Sequence, residues 1–179
     1  MDKLHQLFLK RHSIRRYSDT PVEADHVRLI LQAALLAPSS KSKRPWQFVV
    51  VENKDTLDRL AACKDFGTKP VSTAAFAVVV AADSSLSDCF VEDASIAAVF
   101  MQLQAEELGL GSCWIQVRNR CAADGTPAED IVRDTLSIPE NLTVECIITV
   151  GHKDEERRPV DPEKLLWEKV HIEQWKPQE

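Results

Sequence analysis

The sequence predicts a mixed fold, an α/β or α+β sandwich, from three observations. Helical and strand signals alternate along the chain. Two strand signals, within Gln47–Glu52 and over Phe76–Ala82, are continuous apolar runs rich in β-branched residues, the pattern of strands covered on both faces. The Ala-rich segment Glu92–Leu108 carries apolar residues around most of its circumference, which suits a helix central in the core or at a subunit interface.

In order along the chain, Leu4, Leu7 and Phe8 recur at helical spacing and predict a short helix over residues 2–10. Thr20-Pro21-Val22-Glu23 reads as a cap, a first-position proline and an acidic first turn. The helix that follows runs to about Ala37, where Pro38 ends it. Ser39–Arg44 is a polar, basic loop closed by Pro45, and the first strand follows. Helices are expected over Lys54–Cys63 and Pro127–Leu136, and strands over Ser112–Val117 and Thr143–Val150. Gly109 and Gly111 terminate the long helix. The tail from Leu165 to Trp175 is apolar enough to dock on another surface.

Composition narrows the function. The chain has 179 residues, 44% hydrophobic, with no repeat or linker-like stretch, and reads as one domain over 1–179. Its net charge of −6 opposes a general nucleic-acid partner. Five cysteines, an odd number without zinc or redox spacing, fit reduced thiols in the cytoplasm. The longest apolar run, Ala74–Ala82, is far below the ~20 residues of a bilayer span, and Met1–Lys10 lacks the pattern of a signal peptide. The expectation is a soluble cytoplasmic protein without a membrane partner.

Four segments concentrate chemistry. In Arg11-His12-Ser13-Ile14-Arg15, an extended backbone would turn Arg11, Ser13 and Arg15 to one side, two guanidinium forks and a hydroxyl suited to a phosphate monoester. Pro38 to Trp46 gathers hydroxyls, cations and an indole between a helix and a buried strand. Leu108 to Gln116 places two glycines before a strand, where backbone can approach a flat ligand. Gly151 to Pro159 is a charged loop after a strand. Taken singly, each has a plainer reading: a solvated basic turn, a polar loop, a helix cap, a charge run. Phosphate-loop, zinc-ligand and nucleophile-elbow motifs are absent, and the five histidines are scattered, so no catalytic side chain is named.

In this order the four segments resemble the nitroreductase-like flavoprotein family over nearly the whole chain. Arg11–Tyr17 is similar to its R-x-S-x-R-x-[FY] motif. Ala37-Pro38-Ser39-Ser40 with Pro45-Trp46-Gln47-Phe48 is similar to its A-P-S-S-x-N-x-Q-P-W-x-F motif. Gly109 to Ile115 and Gly151 to Pro159 match later segments. The resemblance implies an α+β fold with a mostly antiparallel central sheet flanked by helices, in an intertwined homodimer whose 160–179 extension packs on the partner subunit. It implies FMN as cofactor, NADH or NADPH as reductant, and a small-molecule electron acceptor. Nitroaromatics, quinones or related compounds would be reduced by ping-pong hydride transfer through flavin N5. Carried over by position, Arg11, Ser13 and Arg15 hold the phosphate, with His12 beside it. Arg158 is the late basic ligand, with Arg157 its rival. Pro38, Ser39 and Ser40 line the ring from the partner subunit, and the backbone at Cys113, Trp114 and Ile115 covers the other side. The family's ring-edge Asn is Ser42 here, and its Gln before Pro-Trp is Arg44, a cation placed to stabilise reduced flavin. The alternative is a non-catalytic dimeric sensor that binds flavin or a phosphorylated ligand.

Overall fold

The computed structural model describes residues 2–175; Met1, and residues 176–179 of the expected C-terminal extension, lie outside the described residues. The elements are α1 (Lys3–Lys10), α2 (Ala24–Leu35), β1 (Trp46–Val51), α3 (Lys54–Ala61), α4 (Lys69–Thr73), β2 (Phe76–Asp83), α5 (Phe90–Glu107), β3 (Gly111–Gln116), α6 (Ala128–Leu136) and β4 (Leu142–Gly151). The four strands form one sheet in the order β1-β2-β4-β3, with every neighbouring pair antiparallel. The expectation of a mostly antiparallel sheet flanked by helices is met.

Strand geometry explains the layering. Alternate β2 side chains point to opposite faces. Phe76, Val78, Val80 and Ala82 pack with α2 and α5 residues such as Ile30, Ala34, Ala97 and Met101. Ala77, Val79 and Ala81 pack with Leu57, Leu60 and Val132 of α3 and α6. Helices thus cover both faces, which is why β2 shows no polar alternation. β1 departs from the expectation: it is an outer strand, and Gln47 and Val50 are exposed.

Other differences are local. Thr20 does not cap α2; the helix starts at Ala24 with Glu23 at the cap position and no side-chain cap bond. It ends at Leu35, two residues before Ala37. Asp2 caps α1 and Asn53 caps α3 through their side-chain oxygens. The short α4, with Pro70 in its first turn, was not expected. Gly109, at φ 77°, ends α5 in the left-handed conformation glycine tolerates. Gly111 does not serve that end; it opens β3. The tail carries two 3-10 turns, Pro162–Lys164 and Trp167–Lys169, with Leu166, Trp167, Val170, Ile172 and Trp175 exposed.

Candidate functional site

The basic segment after α1 is sewn onto the ends of β3 and β4. Ser13 bridges Ser112, and the Ile14 amide donates to the Ser112 carbonyl at 2.9 Å. Tyr17 bridges Lys153, the Ser18 amide donates to the His152 carbonyl at 3.0 Å, and the Asp154 amide donates to the Arg16 carbonyl at 3.0 Å. Ile14 and Tyr17 face inward, and two glycines make room for them. A Cβ on Gly111 would fall 2.7 Å from Ile14 Cγ2, and one on Gly151 would fall 3.0 Å from the Tyr17 ring. The Tyr17 hydroxyl donates to the Ile14 carbonyl at 2.7 Å and lies 2.8 Å from the Thr149 hydroxyl. Burial pushes the phenol's pKa up, partly opposed by the Thr149 hydrogen bond, so it remains a proton donor at neutral pH.

With Ile14 inside, its neighbours Ser13 and Arg15 face the other way. They meet at Cys113: burial raises that thiol's pKa, while Arg15 and a hydrogen bond with Ser13 oppose the rise. Lys64 lies within electrostatic reach of Cys113, Cys63 and Arg120, and burial lowers its ammonium pKa. No motif marked Lys64 or Arg120, because their proximity is created by folding of the loops after α3 and β3. Among the described residues the side chains of Arg11, Arg15 and Arg158 form no ion pair, and the half-buried His12 leaves Nε2 without a partner. Arg157 is already engaged, its Nη2 donating to Glu155 Oε2 at 3.0 Å. Glu155 Oε1 accepts the Arg15 amide at 2.6 Å, and that contact holds the carboxyl below its usual pKa, with Arg157 and Arg16 adding to the effect. Unpaired guanidiniums, a hydroxyl and an orphaned imidazole nitrogen form a donor set that fits a phosphate monoester.

The second segment is shaped by unusual backbone. Ser40–Ser42 forms a 3-10 turn, and Lys41, Ser42 and Arg44 take φ of 50°, 55° and 50°. Each is a left-handed residue with a Cβ, a conformation costing on the order of 1–2 kcal/mol. The turn persists because its polar groups are tied. The Arg44 amide donates to Ser39 Oγ at 3.0 Å, the Lys43 amide to the Ser40 carbonyl at 2.9 Å, and the Asp83 amide to the Pro45 carbonyl at 2.9 Å. The Ser40 amide donates to Asp93 Oδ1 at 2.7 Å. Asp93, legible in the sequence only as the start of the long helix, thereby anchors the loop. Pro38, Lys41, Ser42, Lys43 and Arg44 are exposed, and Ser39 and Ser40 are half-buried. Among the described residues, Lys41, Lys43 and Arg44 have no carboxylate partner.

β3 lies at the edge of the sheet opposite β1. It is the outer strand beside β4, and past Ser112 its free edge is unpaired among the described residues. Cys113 and Ile115 are buried, while Trp114 is half-buried and donates its indole N–H to Gln116 Oε1 at 2.8 Å. One chain does not bring the two polar segments together. Arg11–Tyr17 sits at the Gly111/Gly151 end of the sheet, whereas Ser39–Arg44 sits at the Trp46/Ala82 and Asp83/Leu142 end. The 18 residues of α5 span the gap, about 27 Å at 1.5 Å per residue.

Among the described residues no cluster of His, Cys, Asp and Glu could hold a metal ion, and no helix is long and apolar enough to cross a membrane. The sequence profile of the nitroreductase family matches residues 8–64 and 64–152. An FMN-dependent nitroreductase structure from Clostridium difficile R20291 superposes with a TM-score of 0.93 at 46% identity, covering 96% of this chain and 99% of that one. An Archaeoglobus fulgidus protein described as an NADH dehydrogenase/NAD(P)H nitroreductase is 33% identical over 98% of this chain and 100% of its own length. At 24% identity, the NADPH:FMN oxidoreductase of Vibrio harveyi, solved with NAD+, shares the fold, with a TM-score of 0.84 over 99% of this chain and 80% of that one.

Proposed function

The chain belongs to the nitroreductase family, and on that premise we propose that it is a cytoplasmic, homodimeric FMN-dependent NAD(P)H oxidoreductase that reduces nitroaromatics, quinones or related acceptors. The observation that carries this reading is the seat at Arg11–Arg15. The segment is pinned to β3 by the Ile14–Ser112 hydrogen bond, and its guanidiniums have no carboxylate partner among the described residues. The FMN-dependent activity named for the Clostridium difficile relative supports it.

Ser13, Arg11 and Arg15 would bind the phosphate, with His12 beside it. Arg158 joins them in preference to Arg157, whose guanidinium Glu155 already neutralises. Backbone at Cys113, Trp114 and Ile115 would lie along one side of the ring. Pro38, Ser39, Ser40 and Ser42 would line the other from a second copy, with Arg44 near the ring edge. That division accounts for the distance between the two segments in one chain. The exposed Trp167, Ile172 and Trp175 of the tail, and exposed Leu4, Phe8 and Val99 on α1 and α5, supply apolar surface for such a pairing. FMN, when bound, would supply the hydride chemistry between NADH or NADPH and the acceptor. The protein contributes placement, exclusion of water and the positive field of its guanidiniums.

Purified protein reconstituted with FMN tests the reading. Yellow protein bleached by NADH or NADPH and re-oxidised by a nitroaromatic or quinone is the expected result. Protein that cannot retain FMN overturns it. Yellow protein that neither nicotinamide reduces would instead be a flavin-binding sensor.

A further inference from the structure

We propose that Asp93 is a positioning residue for the flavin ring, its buried carboxylate setting the shape of the loop on which the ring rests. The proposal rests on the FMN reading above and adds to it a residue that touches neither cofactor nor substrate.

Asp93 lies in the first turn of α5 and is 2% exposed. A carboxylate removed from water is costly unless its oxygens are fully satisfied. Here both oxygens are used. Oδ1 accepts the Ser40 amide at 2.7 Å, and Oδ2 accepts the Ser87 hydroxyl at 3.1 Å. Ser87 Oγ in turn accepts the Cys89 amide at 3.2 Å, at the cap position of the same helix. The amides of the first turn also favour negative charge there. These contacts tie the loop to the helix start at one point, Ser40.

That point immediately precedes the left-handed residues Lys41 and Ser42, with Arg44 following. Side chains of these types do not hold such a backbone unaided, and the cost of holding it is the mark of a segment whose shape matters. Asp93 fixes where the turn begins, and Ser39 Oγ, through the Arg44 amide, fixes where it ends. The other end of α5 leads through Gly109 into Gly111, under the phosphate seat. Asp93 therefore sets the ring loop from one end of the helix without touching the phosphate seat at the other.

The experiment separates ring from phosphate by comparing FMN with riboflavin, which lacks the phosphate, in wild-type protein and in Asp93→Asn. The expected result is about tenfold weaker riboflavin binding with the FMN-to-riboflavin affinity ratio unchanged. Flavin fluorescence and midpoint potential shift with it. In flavin-free protein, amide exchange at Ser40 and across 39–44 accelerates about tenfold while exchange across 13–17 stays as in wild type. Should Asp93→Asn not fold, Ser87→Ala reads the same quantities, with about threefold effects expected. A folded variant with wild-type riboflavin affinity, potential and Ser40 exchange overturns the proposal. If wild-type protein binds neither flavin, the FMN reading fails. The exchange measurement then still decides whether Asp93 holds the loop, and unchanged exchange refutes it.

Discussion

Gly111 lies directly beneath Ile14: a Cβ there would come within 2.7 Å of Ile14 Cγ2 and 2.8 Å of its Cβ. The glycine is therefore what lets the basic segment lie flat on β3. Gly111→Ala would force the Ile14 backbone away and turn Ser13 and Arg15 from their seat. The expected cost is about 1–3 kcal/mol of stability, the usual scale of overpacking, with a larger loss of FMN affinity than of thermal stability. Thermal unfolding and FMN titration on the same samples check this.

The late guanidiniums are distinguished by their partners. Arg15→Ala and Arg158→Ala should each weaken FMN binding by about 1.5–3 kcal/mol, the scale of a hydrogen bond to a charged group. Arg157→Ala should cost much less, since Arg157 donates to Glu155 rather than standing unpaired. Equal losses at 157 and 158, measured by FMN titration, would reverse this assignment.

Glu155 gives the fold an acid limit. Its carboxyl is held below the ordinary value of 4.5, first by the Arg15 amide. A carboxylate with a lowered folded-state pKa stabilises the native state at pH values above the unfolded pKa. The contribution is lost as pH falls through the folded value. Glu155→Gln should therefore flatten the decline in stability below about pH 4.5 while lowering stability at neutral pH. Urea unfolding at a series of pH values reads the slope.

Ser42 sits at φ 55°, where asparagine is better tolerated than serine because its side chain can hydrogen-bond locally. Ser42→Asn should raise stability by on the order of 0.5 kcal/mol even without flavin. It should also shift the flavin potential if residue 42 meets the ring edge. A higher melting temperature with an unchanged potential would mean that asparagine suits this position for its backbone alone.

Lys41, Lys43 and Arg44 stand exposed on the proposed ring loop, with no carboxylate partner among the described residues. Acceptors bearing a carboxylate should react faster than neutral isosteres, and the advantage should shrink as ionic strength rises past ~0.1 M, where charges ~10 Å apart are screened. Steady-state kinetics with nitrobenzoate and nitrobenzamide across a salt series test it.

The four strands and every helix but the short α4 are legible in the sequence, the long Ala-rich α5 among them, because apolar spacing carries them. The proposed phosphate seat shows in the sequence as a cluster of types, Arg11, Ser13 and Arg15, but not as a surface, because the glycines that receive the segment lie about 100 and 140 residues away. In the sequence Asp93 and Glu155 belong to a helix start and a charge run. Their partners, the amides of Ser40 and Arg15, are backbone groups that every residue has, so no residue type announces the contact. β1 misled for a similar reason: its valines look fully buried, yet it is an outer strand that exposes Val50. Apolar surface left open in a single chain does not reveal from sequence whether solvent or a second copy covers it.

The length of α5 has one more consequence. If two copies build two sites, each chain lends its Arg11–Arg15 seat to one and its Ser39–Arg44 loop to the other. Take a chain damaged only at Arg15 and another damaged only in the loop, each inactive as a pure preparation. Unfolded together and refolded as a mixture, they would yield some mixed pairs with one wholly sound site beside one doubly damaged site. Activity would reappear from two dead parents, at no more than half of the wild-type level per mixed pair.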